Sequence, residues 1–127
     1  MNNKNRLRSI LVPLMLILSS AIMAMAWLGH LKYKEDLSFL MAALFAWLLV
    51  LPEYFLNVSA IRWGIGVYQP SEMAAMNLSS GIVFIALVSH FFLGEEISIQ
   101  KYIGFGLMII AMVLISGPKS KRSLKDL

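Results

Sequence analysis

The sequence predicts an all-α membrane protein with four transmembrane helices. Apolar residues make up 59% of the 127 residues and charged residues only 14%, and the mean hydropathy is +0.75, whereas soluble domains are usually about 45–50% apolar. One crossing of the hydrocarbon core takes about 20 apolar residues, so four crossings with short loops use nearly the whole chain. A helix satisfies its own backbone hydrogen bonds in lipid without closing into a barrel, which favours helices for these crossings.

Polar and helix-breaking residues divide the apolar sequence into four runs. The first run contains Pro13 in its first turn, where proline is tolerated; a signal peptide is the alternative for this run, because Ala24-Met25-Ala26 resembles a cleavage site. Ser71, a favourable N-cap residue, precedes the third run, and Gly94 ends that run. The predicted limits are a basic N-terminal tail at 1–9, a four-helix transmembrane domain at 10–116 with spans at about 10–28, 37–61, 73–92 and 102–115, and a basic C-terminal tail at 117–127.

The composition also limits the chemistry that the protein can perform. The chain has no cysteine and only two histidines, which excludes disulfides, thiolate catalysis and cysteine-based zinc sites. Four spans leave no room for a soluble catalytic domain. The basic residues lie mainly in the tails, where they are typical of orientation signals in a membrane protein. We therefore expect no enzyme, no metal site, no cofactor and no nucleic-acid partner.

The end of the third span and the start of the fourth carry a recognisable motif. Residues 92–96 read Phe-Leu-Gly-Glu-Glu, and Gln100, Ile103-Gly104, Leu107 and Ala111 follow. This stretch resembles the drug/metabolite transporter (DMT) superfamily, in which a third helix ends in Leu-Gly-Glu and the fourth opens with glycine. With the segments Ala26-Trp27-Leu28-Gly29-His30-Leu31-Lys32 and Pro52-Glu53-Tyr54-Phe55-Leu56-Asn57-Val58, the chain is similar to a compact four-helix family of that superfamily, over about residues 10–116. The role of that family is undefined.

A more distant similarity, to the small multidrug resistance exporters, implies a four-helix bundle of the same type. Those exporters bind drug and protons through a carboxylate in the first helix, and this chain has no carboxylate there. Between Ile10 and Leu28 the polar side chains of note are Ser19, Ser20 and Trp27. The resemblance therefore implies the architecture and not that mechanism, since one fold hosts many functions.

Glu53 is the leading candidate for a binding residue, because it is the only acidic side chain inside an apolar run. Ionisable side chains in a membrane are costly, and they usually face protein or water and mark a site. Helical spacing places Glu53 on a stripe of mostly small and polar residues, which is typical of a helix–helix interface. The alternative is a structural carboxylate that reaches the membrane surface, about 12 Å away along the helix. The stripe consists of Ala42, Ala46, Leu49, Glu53, Asn57 and Ala60.

Further candidates lie beside Glu53 or at a similar depth in the third span. Pro52 leaves the Leu48 carbonyl without its helical donor, which predicts a kink next to the carboxylate. Packing between helices, without any ligand, is the alternative role for Pro52 and for the polar candidates. The predicted substrate- or proton-binding residues are Glu53, Asn57, Tyr54, Trp47, Asn77 and Ser80.

The predicted function is a membrane transporter of the DMT type that moves a small organic or amphipathic solute. Four helices enclose little space, so a transport cavity implies a homo-oligomer or pairing with a related subunit in the lipid bilayer. Gly104 and Ala111, seven residues apart on the last span, are the predicted interface. The alternative is a non-transporting accessory or scaffolding protein of the inner membrane.

The distribution of basic residues predicts the orientation. Of the 11 Lys and Arg residues, eight lie on the side of the two termini and three on the other side. Because segments rich in Lys and Arg stay in the cytoplasm, both termini are predicted to be cytoplasmic in a multi-pass protein of the inner (plasma) membrane. Such a bias opposes insertion in two orientations, so a homo-oligomer is expected to have parallel protomers.

Overall fold

A computed structural model describes residues 2–115, which form four α-helices. Three apolar helical stretches are long enough to cross a membrane, at Asn3–Tyr33, Phe39–Gly64 and Pro70–Phe92, and a shorter apolar helix follows them. The protein is thus an all-helical membrane protein, and the predicted tail at 117–127 lies outside the described residues. The helices are α1 (Asn3–Leu28), α2 (Phe39–Gly64), α3 (Pro70–Leu87) and α4 (Ile99–Ile115), with a 3₁₀ helix at Gly29–Tyr33 and a π-helical turn at Val88–Phe92.

Helix α1 begins earlier than the sequence predicts. Asn2 is its N-cap and accepts a hydrogen bond from the Lys4 backbone N–H at 3.3 Å, so most of the predicted tail at 1–9 is helical. The placement of Pro13 in a first turn is therefore wrong, because this proline lies in the helix interior. Pro13 has no N–H to donate to the Ser9 carbonyl, and the Tyr68 hydroxyl donates to that carbonyl instead, at 2.7 Å.

Helix α1 is the centre of the bundle. It packs against both α2 and α3, which contact each other little, and α4 packs against α3 alone among the described helices. The core around Val12, Leu16 and Met73 lies towards the N-terminal end of α1. A Cβ atom at Gly64 would lie 2.6 Å from Met73 Sδ, so a larger residue there would have to displace the buried Met73 side chain.

The corner between α2 and α3 differs from the sequence prediction at both ends. Helix α2 continues to Gly64 rather than ending by residue 61. The prediction of Ser71 as N-cap is wrong, because the cap is Gln69 and Pro70 is the first helical residue, a position that needs no N–H donor and suits the fixed φ of proline. Glu72 completes the cap, since its Oε2 accepts from the Gln69 backbone N–H at 2.7 Å.

A polar loop joins the π-helical turn to α4. Gly94 adopts a φ of +74°, which glycine tolerates without strain, and this ends the third span as the sequence predicts. Glu95 then pairs with Lys101 near the start of α4. The hydrogen bond from the Lys101 ammonium, together with its positive charge, lowers the pKa of the Glu95 carboxyl. Helix α4 starts at Ile99, three residues before the predicted limit.

Candidate functional site

Glu53 of α2 is buried against α1, on the face that its stripe predicts. Its side chain is 3% exposed, and its Oε1 accepts a hydrogen bond of 2.6 Å from the Ser19 hydroxyl. Asn57, one turn further along α2, donates from Nδ2 to the same Ser19 oxygen at 3.1 Å. Since Ser19 is fully buried, the three side chains form a polar contact enclosed between two apolar helices.

The second carboxylate oxygen of Glu53, Oε2, differs from the first in its contacts. Oε2 is enclosed, and no donor among the described residues reaches it. A carboxylate that is removed from water without full hydrogen bonding is costly. A hydrogen-bond donor or a positive charge from a ligand would supply the contact that Oε2 lacks among the described residues.

Glu53 also forms part of the wall of a cavity of about 320 Å³ between α1, α2 and α3. Ser20 of α1 and Asn77 of α3 supply polar groups, and Trp27 and Ile82 belong to the apolar remainder of the wall. At one side of the cavity the hydroxyl oxygens of Ser20 and Ser80 lie 2.8 Å apart, within hydrogen-bond distance. The cavity is thus apolar with one polar end, a composition typical of small-molecule sites.

The structure brings four of the six predicted binding residues to this region. Glu53 and Asn77 line the cavity, Asn57 contacts Ser19, and Ser80 contacts the cavity residue Ser20. Trp47 and Tyr54 do not join them.

Trp47 and Tyr54 are 57% and 64% exposed on the outside of α2. Successive side chains of a helix are about 100° apart around its axis, so Trp47 and Tyr54 point away from the stripe that contains Glu53. Pro52, beside the carboxylate, is also exposed.

Ser19 and Ser20 are the residues that the sequence prediction leaves out of the site. Two adjacent hydroxyls in an otherwise apolar span were a usable signal, because buried hydroxyls in lipid need partners. Nothing in the local pattern indicates that the two face different helices, Ser19 towards Glu53 of α2 and Ser20 towards Ser80 of α3.

The predicted interface residues lie on the outer side of α4. Gly104 and Ala111 are exposed, and a Cβ atom added at Gly104 would meet no other atom within 4 Å. Within residues 2–115, no group of three or more His, Cys, Asp or Glu side chains is placed to hold a metal ion.

Comparison with known proteins identifies the family. A family model described as "Putative member of DMT superfamily (DUF486)" matches residues 12–116, which include the four helices from the core of α1 onwards. No curated protein and no solved structure shows a significant match to the chain. Because the match covers most of the chain, the protein belongs to this DUF486 family, which is described in those words as a "Putative member of DMT superfamily".

Proposed function

We propose that the protein is a transporter subunit that moves a small organic or amphipathic solute across the membrane through a site at Glu53. The observation that carries this proposal is a carboxylate that is 3% exposed inside an apolar helix, with one oxygen lacking a partner, in the wall of a cavity. Intramembrane carboxylates of this kind mark solute and ion pathways. The description of its family as a "Putative member of DMT superfamily" supports the same conclusion.

The composition of the cavity favours a solute with an apolar body and a cationic end. Its wall is mainly apolar, and Trp27 offers an aromatic surface. Glu53 supplies the only carboxylate of that wall, while Ser20 and Asn77 supply hydrogen-bonding groups. A positively charged end binds there in competition with a proton, which gives a physical basis for coupled movement.

Replacing Glu53 with Gln tests the proposal. The Gln side chain keeps an oxygen that accepts from Ser19, but it removes the charge. We first identify a solute by its thermal stabilisation of the detergent-purified protein, in a panel of organic amines, lipids and metabolites. We then measure uptake of that solute into proteoliposomes and expect Glu53→Gln to reduce it at least tenfold at an unchanged unfolding temperature.

Glu96→Gln is the matched control, because Glu96 lies exposed in the loop before α4. This variant should transport like the unmodified protein. Equal uptake by the Glu53→Gln and Glu96→Gln variants would contradict a role of Glu53 in transport.

A specific observation also favours the accessory or scaffolding role as the second candidate. Ser19 joins Glu53 and Asn57, so these residues hold α1 to α2 whether or not a solute binds. In that role the Glu53 carboxylate matters only as a hydrogen-bond acceptor. Glu53→Gln would then be harmless, whereas Glu53→Ala would destabilise the bundle.

The proposal includes α4 as the fourth membrane span and a parallel homo-oligomer, or a pair with a related subunit, in the inner membrane. The 17 residues of α4 extend about 26 Å, slightly less than a hydrocarbon core of about 30 Å. The open space at Gly104 leaves room for a helix of a second subunit. Both termini are then cytoplasmic, as the bias of basic residues indicates.

A further inference from the structure

A second cavity, of about 390 Å³, lies at the end of α1 that is far from the N-terminus. The C-terminal end of α1, the loop that follows it and the first half of α2 form its wall. It shares no lining residue with the cavity at Glu53. The small side chains of Ala26 and Ala46 create the space, and Phe45 and Phe92 bound it.

The cavity has the depth of one lipid leaflet. It begins at Asp36 and Leu37 in the loop and reaches Leu49, which lies ten residues after the first residue of α2, Phe39. At 1.5 Å per residue this distance is about 15 Å, half of a hydrocarbon core of about 30 Å. The cavity therefore extends from the level of the lipid headgroups to the middle of the bilayer.

The cavity opens towards lipid rather than into the bundle. Met25 and Phe45 in its wall are 36% and 52% exposed. Within residues 2–115, α2 packs on α1 and only slightly on α3, so its outer surface beside this opening carries no other helix. In a bilayer the molecules that meet such an opening are lipid chains.

Charged groups of both signs lie at the headgroup level of this cavity. The Asp36 carboxylate makes no hydrogen bond or ion pair with the described residues. The Lys32 ammonium lies 4.4 Å from the centre of the Phe92 ring, and that ring forms part of the wall. Lys34 and Glu35 are exposed on the same loop, but Asp36 is the carboxylate of the cavity wall. Together with Lys32 it complements a headgroup that carries an ammonium and a phosphate.

We propose that this cavity binds one acyl chain of a phosphatidylethanolamine molecule from the leaflet at this end of the bundle. The ammonium of the headgroup donates to Asp36, and its phosphate lies on the side of Lys32. Ethanolamine has three N–H donors for the carboxylate, whereas choline has none, and glycerol lacks the positive charge. The apolar groove binds the chain, and Asp36 selects the headgroup.

Filling the cavity tests the chain site. The full-length protein is reconstituted in vesicles of equal parts phosphatidylethanolamine, phosphatidylcholine and phosphatidylglycerol, extracted in detergent, purified, and analysed for retained lipid by mass spectrometry. We expect about one phosphatidylethanolamine per chain, as one leaflet-deep cavity provides. Ala46→Phe should lose it, and Ala43→Phe, an exposed position outside the cavity, should keep it. Equal retention by the two variants would overturn the proposal.

Asp36→Asn tests the headgroup assignment and does not endanger the fold, because Asp36 is exposed. We expect the unmodified protein to retain phosphatidylethanolamine about two- to fivefold over phosphatidylcholine, the range of a single exposed charge pair. Asp36→Asn should make the two lipids equal, and Glu35→Gln, its exposed neighbour, should preserve the preference. A preference that survives Asp36→Asn, or retention of phosphatidylglycerol in place of phosphatidylethanolamine, would refute this headgroup.

Discussion

Ser19 is the residue on which the hydrogen bonds of Glu53 and Asn57 converge. Its hydroxyl donates to Glu53 and accepts from Asn57, so it uses both of its hydrogen-bonding capacities between two helices. This arrangement explains how an apolar interface contains a carboxylate. It also means that the cost of burying Glu53 is offset in part, at Oε1, by a neighbour 34 residues earlier in the chain.

We predict that Ser19→Ala destabilises the protein by about 1–3 kcal/mol, because it removes the hydrogen bonds of a buried carboxylate oxygen and of a half-buried amide. Reversible unfolding of the detergent-solubilised protein measures the change. Ser59→Ala is the control, since Ser59 is exposed on α2 and its loss should change stability by less than about 0.5 kcal/mol. Equal stability of the two variants would show that the contact at Ser19 contributes nothing.

At the scale of helices, an interior proline in α1 is compensated from another element. Pro13 cannot donate to the Ser9 carbonyl, and the Tyr68 hydroxyl after α2 takes that role. Helix α1 therefore depends on the α2–α3 corner for a hydrogen bond that helices normally make internally. The same contact fixes the corner against the first turns of α1.

We predict that Tyr68→Phe destabilises the protein by about 1 kcal/mol, the usual value of one hydrogen bond. In a Pro13→Ala background the residue at position 13 regains its N–H, so the same Tyr68→Phe change should cost close to nothing. A double-mutant cycle on unfolding free energies measures this difference. Tyr54→Phe, at a 64% exposed position, controls for loss of a hydroxyl, and an equal cost in both backgrounds would disprove the compensation.

For the whole molecule, sequence patterning predicts the helices and the burial of Glu53 but not the packing order. The apolar runs and the small-residue stripe each belong to a single segment. The spacing of residues within that segment shows them directly in the sequence. The helix starts at Asn3 and Pro70 were missed because capping by Asn2 and Gln69 extends the helices beyond their apolar parts. The pairing of Ser19 with Glu53 depends on the rotation of α1 in the bundle, which no local pattern contains.

The orientation of the whole protein is a prediction that cysteine labelling can test. The chain has no cysteine, so single-cysteine variants at Asn3 and Glu96 report the two ends of the bundle without background. In intact cells a membrane-impermeant maleimide should label Glu96→Cys and not Asn3→Cys, because the basic side stays in the cytoplasm. Lysed cells, in which both variants should react, provide the control. Comparable labelling of both in intact cells would indicate dual orientation.

The subunit interface is the second prediction at this scale. Gly104→Leu should weaken cross-linking between copies of the chain while leaving the unfolding temperature of the monomer unchanged, since a Cβ atom at this position meets no atom of the described residues within 4 Å. Gly106→Leu places the same side chain on another side of α4 and is the control. If Gly104→Leu and Gly106→Leu cross-link like the unmodified protein, α4 does not form the interface through this face.

Helix α1 contacts both α2 and α3 and is also the first helix to be synthesised. The ribosome produces the N-terminal helix first, and α2 and α3 follow. Ser19 is therefore already in the membrane when Glu53 leaves the translocon, and a hydroxyl donor is available as soon as the carboxylate meets lipid. If α2 entered the membrane before α1, Glu53 would be in hydrocarbon without a hydrogen-bond donor. A lone charge there is far more costly than a lone hydroxyl. The order of the helices along the chain thus avoids a stage of synthesis in which the Glu53 carboxylate lies in lipid without a donor.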